Sequence, residues 1–223
     1  MKLSRYQFEV LAYLERSGEQ AYSMRTLSDT LKISASAIDN SLTALAGEGL
    51  LNRNGDLLAI TQAGLAALEP YRVKRAVILA AGFGSRMVPA TLERPKPMVT
   101  VNGVRIIETL LDALVAAKIT DITLVRGYKK ERFDALLSKY PFLNFIDNDI
   151  YNTTNNISSA MAALDRIDGC YLCEADLYIT NPRVITKYQY ASNILGSYSL
   201  ETDDWSFRQE DGHITQYQKG NTF

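Results

Sequence analysis

Two glycines, an arginine and a lysine are spaced to hold a run of phosphates: Gly82, Gly84, Arg86 and, ten residues on, Lys96. Glycines leave their backbone N–H groups unobstructed and free to take positive φ, so they can close on anionic oxygens. Arg86 adds a planar fork of donors, and Lys96 adds a more mobile positive charge. The preceding run, 76–81, is apolar and rich in Val and Ala, which predicts a buried strand leading straight into this loop. Two well-known phosphate loops do not fit. A P-loop ends in Gly-Lys-Ser/Thr, whereas Gly84 is followed by Ser85 and Arg86. A dinucleotide fingerprint needs a small residue where Met87 stands and a helix from there, but Pro89, Pro95 and Pro97 break that segment. Further on, the apolar run 169–176 ends in Glu174 and Asp176, two carboxylates on one strand face. A carboxylate there is costly to hold unless charge or solvent meets it.

The string L-A-A-G-x-G-S-R-M at 79–87 with P-K-P-M at 95–98 resembles the signature of nucleotidyltransferases that activate sugar phosphates and choline phosphate. Asn148-Asp-Ile-Tyr151 and Asn155-Asn156-Ile-Ser-Ser159 resemble the Tyr…Asn-Asn…Ser segment of choline-phosphate cytidylyltransferases. On residues alone, Asn155 also reads as a helix N-cap. The resemblance implies an α/β fold, a Rossmann-like and mostly parallel sheet, and transfer of CMP from CTP to phosphocholine. It places Gly82, Gly84, Ser85 and Arg86 on the triphosphate and Lys96 on phosphate charge, with Arg86 and Lys96 catalytic. It places Ala80, Ala81, Gly127, Tyr128, Asn155 and Asn156 on the nucleoside, and Mg²⁺ on Asp176. Magnesium favours carboxylate, phosphate and water oxygens, which suits that position. The segment 198–207 resembles the family's acceptor side, with Tyr151 also on that side. There Trp205 with Glu201, Asp203 or Asp204 would make an aromatic and anionic pocket for a quaternary ammonium, Trp being the best cation–π partner at ~0.5–2 kcal/mol. A Trp packed on the sheet is the plain alternative. Other acceptors stay open: a different phosphorylated amine, 2-aminoethylphosphonate or a sugar 1-phosphate.

Positioning these groups requires alternating elements. After the loop, apolar residues at 106, 107, 110, 111, 114 and 115 predict an amphipathic helix over 106–119. A strand follows at 121–126, ending at Gly127-Tyr128, then a helix over 129–140, a strand at 142–146 and a helix from 155 through 164. Such alternation predicts a parallel sheet with its ligands beyond the strands' carboxyl ends. A strand from 198 and a hairpin around Asp211-Gly212 close the chain. Cys170 and Cys173 lie three apart on a strand, hence on opposite faces, and His213 is the only histidine, so redox and structural zinc chemistry are disfavoured.

Residues 1–70 read as a separate domain and 71–75 as a linker, with 76–223 the nucleotidyltransferase domain. The first segment predicts a helix over 4–16, a helix opened by Ser23, and a third capped by Ser34 or Ser36. Then comes a hairpin turning on Asn54-Gly55, and a helix from Thr61 to near Pro70. This order resembles the winged helix–turn–helix of MarR-type regulators. Seven basic and eight acidic residues over 1–72, and no Lys or Arg across 34–46, leave no basic footprint, so DNA is a partner the charge does not favour. A regulator with a nucleotide-sensing transferase domain is the reading from another class. With a net charge of −1, 47% hydrophobic residues, no span-length apolar run and no signal-like start, the chain is expected in the cytoplasm and away from membranes. The resemblance covers about 74–220, roughly the first two thirds of such a domain. An incomplete acceptor half, weak turnover and a homodimer through an open sheet edge are therefore expected.

Overall fold

A computed structural model describes residues 2–18, 20–196, 199 and 201–220. They form two compact units, Met1–Tyr190 and Ala191–Phe223. The first opens with helix α1 (Arg5–Ser17), where Ser4 and Gln7 close a reciprocal capping box. A short strand β1 (Gln20–Ala21) precedes α2 (Met24–Leu31), capped by Ser23, and α3 (Ala35–Gly47), capped by Ser34. Lys32, left-handed at φ 58°, makes the tight turn between these two helices. Strands β2 (Leu51–Asn54) and β3 (Leu57–Ile60) form the expected hairpin, and β1 pairs with β3 to give a three-stranded sheet that the sequence did not predict. Because Asn54 pairs with Leu57, the loop is Gly55-Asp56 and not Asn54-Gly55; Gly55, at φ 62°, supplies the positive φ. Helix α4 (Gln62–Leu68) is capped by Thr61, as expected. Leu11, Leu14, Leu27, Ile38, Leu45 and Leu58 are buried in the core of this N-terminal module.

The chain then enters β4 (Arg75–Ala80), an inner strand of a parallel sheet. The small hairpin β5 (Thr100–Val101) and β6 (Val104–Arg105) leads to α5 (Ile106–Ala116). The helix ends three residues before the predicted 119, since Ala117 caps it and Lys118 turns left-handed at φ 63°. Strands β7 (Asp121–Arg126), β8 (Leu143–Asp147) and β9 (Cys170–Glu174) complete the order β8-β7-β4-β9, with helix α6 (Asn156–Ala162) before β9. The predicted helix over 129–140 is instead a 3₁₀ segment, Lys130–Leu136. Phe133 and Leu136, both fully buried, lie three apart and share a face in 3₁₀ geometry. Alternate residues of β4 feed opposite cores: Ala76, Ile78 and Ala80 pack on one side, Val77 and Leu79 on the other. Cys173 joins the first core and Cys170 the second, so the two thiols do face apart.

After β9 the chain returns to the N-terminal module. Tyr188 is 5% exposed within that module's core, and Tyr190 stacks on Tyr71 at 5.7 Å and 11°. Backbone hydrogen bonds run from Val73 N–H to the Lys187 carbonyl (3.0 Å) and from Gln189 N–H to the Tyr71 carbonyl (2.9 Å). Lys187 Nζ meets Glu15 at 2.8 Å. Residues 71–73 are therefore gripped from a segment more than a hundred positions downstream.

In the second unit, β10 (Trp205–Glu210) and β11 (His213–Lys219) form an antiparallel hairpin turning on Asp211 (φ 50°) and Gly212 (φ 76°). The first strand starts at Trp205, later than predicted; Tyr198 and Leu200, in the predicted strand, lie outside the described residues. Among the described residues no helix is long and apolar enough to cross a membrane.

Candidate active site

The carboxyl ends of β4, β7 and β9 gather the chemistry. Ala81 leaves β4, and its carbonyl accepts the Tyr128 N–H at 3.0 Å, tying the loop to the end of β7. Gly84 is left-handed (φ 64°, ψ 34°) and starts a 3₁₀ turn, Ser85–Met87. A Cβ at Gly84 would lie 2.8 Å from Lys96 Cβ and 3.1 Å from Thr91 Cγ2, so both conformation and space demand glycine. Gly82 differs: it lies outside the left-handed region, and a Cβ there would meet nothing within 4 Å. Thus only Gly84 takes the positive φ expected of the pair. Gly82 keeps open the space it borders.

Lys96, at the head of the 3₁₀ segment Lys96–Met98, reaches across to Asp176, Nζ to Oδ2 2.6 Å. These residues are 80 positions apart, and the sheet brings them together. Two residues before Asp176, Glu174 accepts from Asn156 Nδ2 at 3.2 and 3.3 Å. Burial, then the Asp176 charge, pushes the Glu174 carboxyl above its ordinary value, although the Asn156 hydrogen bond pulls it back. An open cleft of about 200 Å³ is lined by Ala80, Ala81, Gly82, Gly84, Arg86, Lys96, Asn156, Glu174 and Asp176 among others. Arg86 is exposed on its rim. The lining therefore combines two cationic side chains, two carboxylates and exposed loop backbone, with Lys96 and Asp176 in direct contact.

Not every residue singled out in the sequence reaches this cleft. Asn155 caps α6, its Oδ1 accepting the Ile157 N–H at 3.1 Å, and it lines a separate hollow with Asp149 and Ile150. Its neighbour Asn156 faces Glu174. One step along a helix start sends these two side chains to different places. Gly127 lies under the ring of Tyr151, where a Cβ would be 2.7 Å from Tyr151 Cγ. The Tyr128 hydroxyl donates to the Thr91 carbonyl at 3.0 Å. Trp205 and Glu201 belong to the second unit, where Trp205 sits 6.1 Å from Tyr217. Sequence reasoning missed Thr91, which is 2% exposed and donates its Oγ1 to the Gly84 carbonyl at 3.0 Å. A threonine among prolines carries no signal of that contact.

Among the described residues no cluster of three or more His, Cys, Asp or Glu side chains is arranged to hold a metal. Asp176, with Glu174 behind it, offers hard oxygen donors at one side of the cleft. This suits a cation whose remaining ligands come from phosphate and water.

Comparison with known proteins agrees with this geometry. The family model of the MobA-like NTP transferase domain matches residues 76–193. A 2-aminoethylphosphonate cytidylyltransferase of Lancefieldella rimae is 40% identical over 151 residues, 66% of this chain and 61% of that protein. A choline-phosphate cytidylyltransferase of Streptococcus pneumoniae is 38% identical over 105 residues, 47% of this chain and 45% of that protein. A solved CTP:phosphocholine cytidylyltransferase from Streptococcus pneumoniae superposes with a TM-score of 0.56 at 30% identity, covering 67% of this chain and 66% of that one. The chain thus spans less than two thirds of the length of these relatives.

Proposed function

From the chain's membership of the MobA-like NTP transferase family, we propose that it is a metal-dependent cytidylyltransferase acting on a small phosphonate or phosphate that carries an amine. Among acceptors, 2-aminoethylphosphonate stands ahead of the phosphocholine that the sequence motifs favoured, because the relative with the longer and more identical match is named for it. The observation that carries the chemistry is the meeting of Lys96 and Asp176 at 2.6 Å beside the glycine loop.

The acceptor's phosphonate or phosphate oxygen is already anionic near neutral pH, so no general base is needed. That oxygen forms a bond to the α-phosphorus of CTP as the bond to the pyrophosphate oxygen breaks, and pyrophosphate leaves. Catalysis then rests on in-line positioning and charge neutralisation. Arg86 and Lys96 line the cleft and would neutralise phosphate oxygens, with Gly82 leaving room for their approach. Asp176, backed by Glu174, would hold a divalent cation, Mg²⁺ by its preference for oxygen ligands, which would draw charge from the α-phosphate. In the resting site the Lys96 ammonium serves as the Asp176 counter-ion, and phosphate recruits it away. In this reading residues 76 onward carry the chemistry and residues 1–70 form a supporting module.

Incubating the intact chain with CTP, Mg²⁺ and a panel of phosphorylated amines, 2-aminoethylphosphonate and sugar 1-phosphates tests the reading. CMP-2-aminoethylphosphonate with stoichiometric pyrophosphate is expected. Faster turnover of UTP or dTTP with a sugar 1-phosphate, or no pyrophosphate with any acceptor, refutes it.

A further inference from the structure

The side chain between the two loop glycines has no role in the scheme above, yet its surroundings are specific. Phe83 is 45% exposed, and its ring lies 5.2 Å from Tyr128 and 5.2 Å from Tyr151, tilted at 51° and 54°. We infer that Phe83 is a positioning residue: it docks the glycine loop onto these two rings and so holds the ligand-free loop ready for nucleotide. The nucleotide part of this inference rests on the proposed function. The docking itself does not.

Both rings are held independently of Phe83. Tyr128 is fixed at its backbone by Ala81 and at its hydroxyl by Thr91, each at 3.0 Å. Tyr151 lies flat against Gly127, where no side chain would fit. The loop bearing Tyr151 is pinned by Asn148, which is buried. Its Nδ2 donates to Ser158 Oγ (2.9 Å) and Ser159 Oγ (3.0 Å), and its Oδ1 accepts the Ile150 N–H (3.1 Å). Phe83 therefore packs on rings already placed, and its contact energy goes into ordering its own segment, where Gly82 is sterically free. Tilted ring pairs at 5.2 Å fall within the range where aromatic contacts are favourable beyond simple burial, and two of them together shift the loop population by about tenfold. A phenylalanine is needed here because a smaller apolar side chain cannot span both rings.

Amide hydrogen exchange on the intact, ligand-free chain reads the docking directly at Met87 (bonded to Gly84), with Tyr128 (bonded to Ala81) as the reference. Phe83→Ala is expected to speed exchange at Met87 about tenfold, with Tyr128 still protected and little change in melting temperature, and Phe83→Tyr to restore it. Calorimetric titration with CTP is expected to show about tenfold weaker binding by Phe83→Ala, recovered in Phe83→Tyr. Unchanged exchange in Phe83→Ala overturns the docking, and faster exchange with unaltered CTP affinity overturns the positioning role. Wild-type protein that binds no CTP refutes the nucleotide reading instead, on a separate measurement.

Discussion

The two loop glycines give the sharpest test of the site, because the structure assigns them different reasons for being glycine. At Gly84, alanine would have to hold φ near +64°, which costs about 1–2 kcal/mol for an L-residue. Its Cβ would also press to 2.8 Å on Lys96 Cβ and 3.1 Å on Thr91 Cγ2, an overpacking that costs about 1–3 kcal/mol. Gly84→Ala is thus expected to lose about 3 kcal/mol of stability, a fall of roughly 6–12 °C in Tm for a chain of this size. Gly82→Ala meets nothing within 4 Å and needs no positive φ, so its stability should hold or rise by up to ~1 kcal/mol. Its new methyl would instead occupy the approach to the cleft, and CTP affinity should drop about tenfold or more, a loss of about 1.4 kcal/mol. Calorimetric melting and CTP titration on both variants separate the two effects. A Gly84→Ala protein that melts with the wild type, or a Gly82→Ala protein that binds CTP undiminished, would refute the reasoning.

Removing the Lys96 ammonium frees Asp176, so Lys96→Met should bind Mn²⁺ more tightly than wild type without nucleotide, read by paramagnetic resonance, while losing transfer activity; unchanged Mn²⁺ affinity argues against the ion pair. Tyr188→Ala empties a buried site and loses the hydroxyl's contact with Glu69 (3.2 Å), so urea denaturation should show a loss of about 3 kcal/mol. A loss below about 1 kcal/mol would mean the return segment is not built into the N-terminal module's core. At Asp147, burial raises the carboxyl, but hydrogen bonds from Lys130 and Arg126 outweigh it and leave its pKa below the ordinary 3.8. Its contribution is therefore present above about pH 4 and fades as pH falls through the lowered pKa, so the stability gap between wild type and Asp147→Asn should narrow between pH 7 and pH 3. An equal gap at both pH values contradicts this.

What the sequence made legible were features set by neighbours along the chain. Ser23, Ser34 and Thr61 cap helices because an Asx- or Ser-type oxygen needs only the next turn's N–H. The strand before Gly82 is legible because a buried parallel strand must be apolar on both faces, and the two faces of β4 do feed separate cores. What stayed hidden depends on distant contacts. Gly84 is constrained by Lys96 and Thr91 and Gly82 by nothing, so the pair looks alike until the chain is folded. Asn155 and Asn156 are likewise equivalent as letters, and only the start of α6 turns one into a cap and the other towards Glu174. Period alone did not separate a 3₁₀ turn from an α-helix at 130–136, since Phe133 and Leu136 satisfy either over so short a run.

The N-terminal module is best understood through the same long-range contacts. Its β2–β3 hairpin carries one basic residue, Arg53, which is paired with Asp39 of the third helix at 3.0 Å. Its core, by contrast, is completed by Tyr188 and flanked by Tyr190, from the segment that begins after Asp176. Tyr171, on β9 itself, donates its hydroxyl to the Thr186 carbonyl at 2.9 Å and joins that segment to the strand carrying Glu174. The N-terminal module is therefore joined to the strand that ends in the cleft's carboxylates through Tyr188, Thr186 and Tyr171. That chain of contacts sets the expectation that the module supports the site. It also orders the experiments: Tyr171→Phe, which keeps the ring and removes the hydroxyl, should weaken the link without emptying a core. If the module supports the site through this link, Tyr171→Phe should speed amide exchange around Glu174 while leaving α1 and α3 protected. Unchanged exchange near Glu174 would confine the module's influence to its own core.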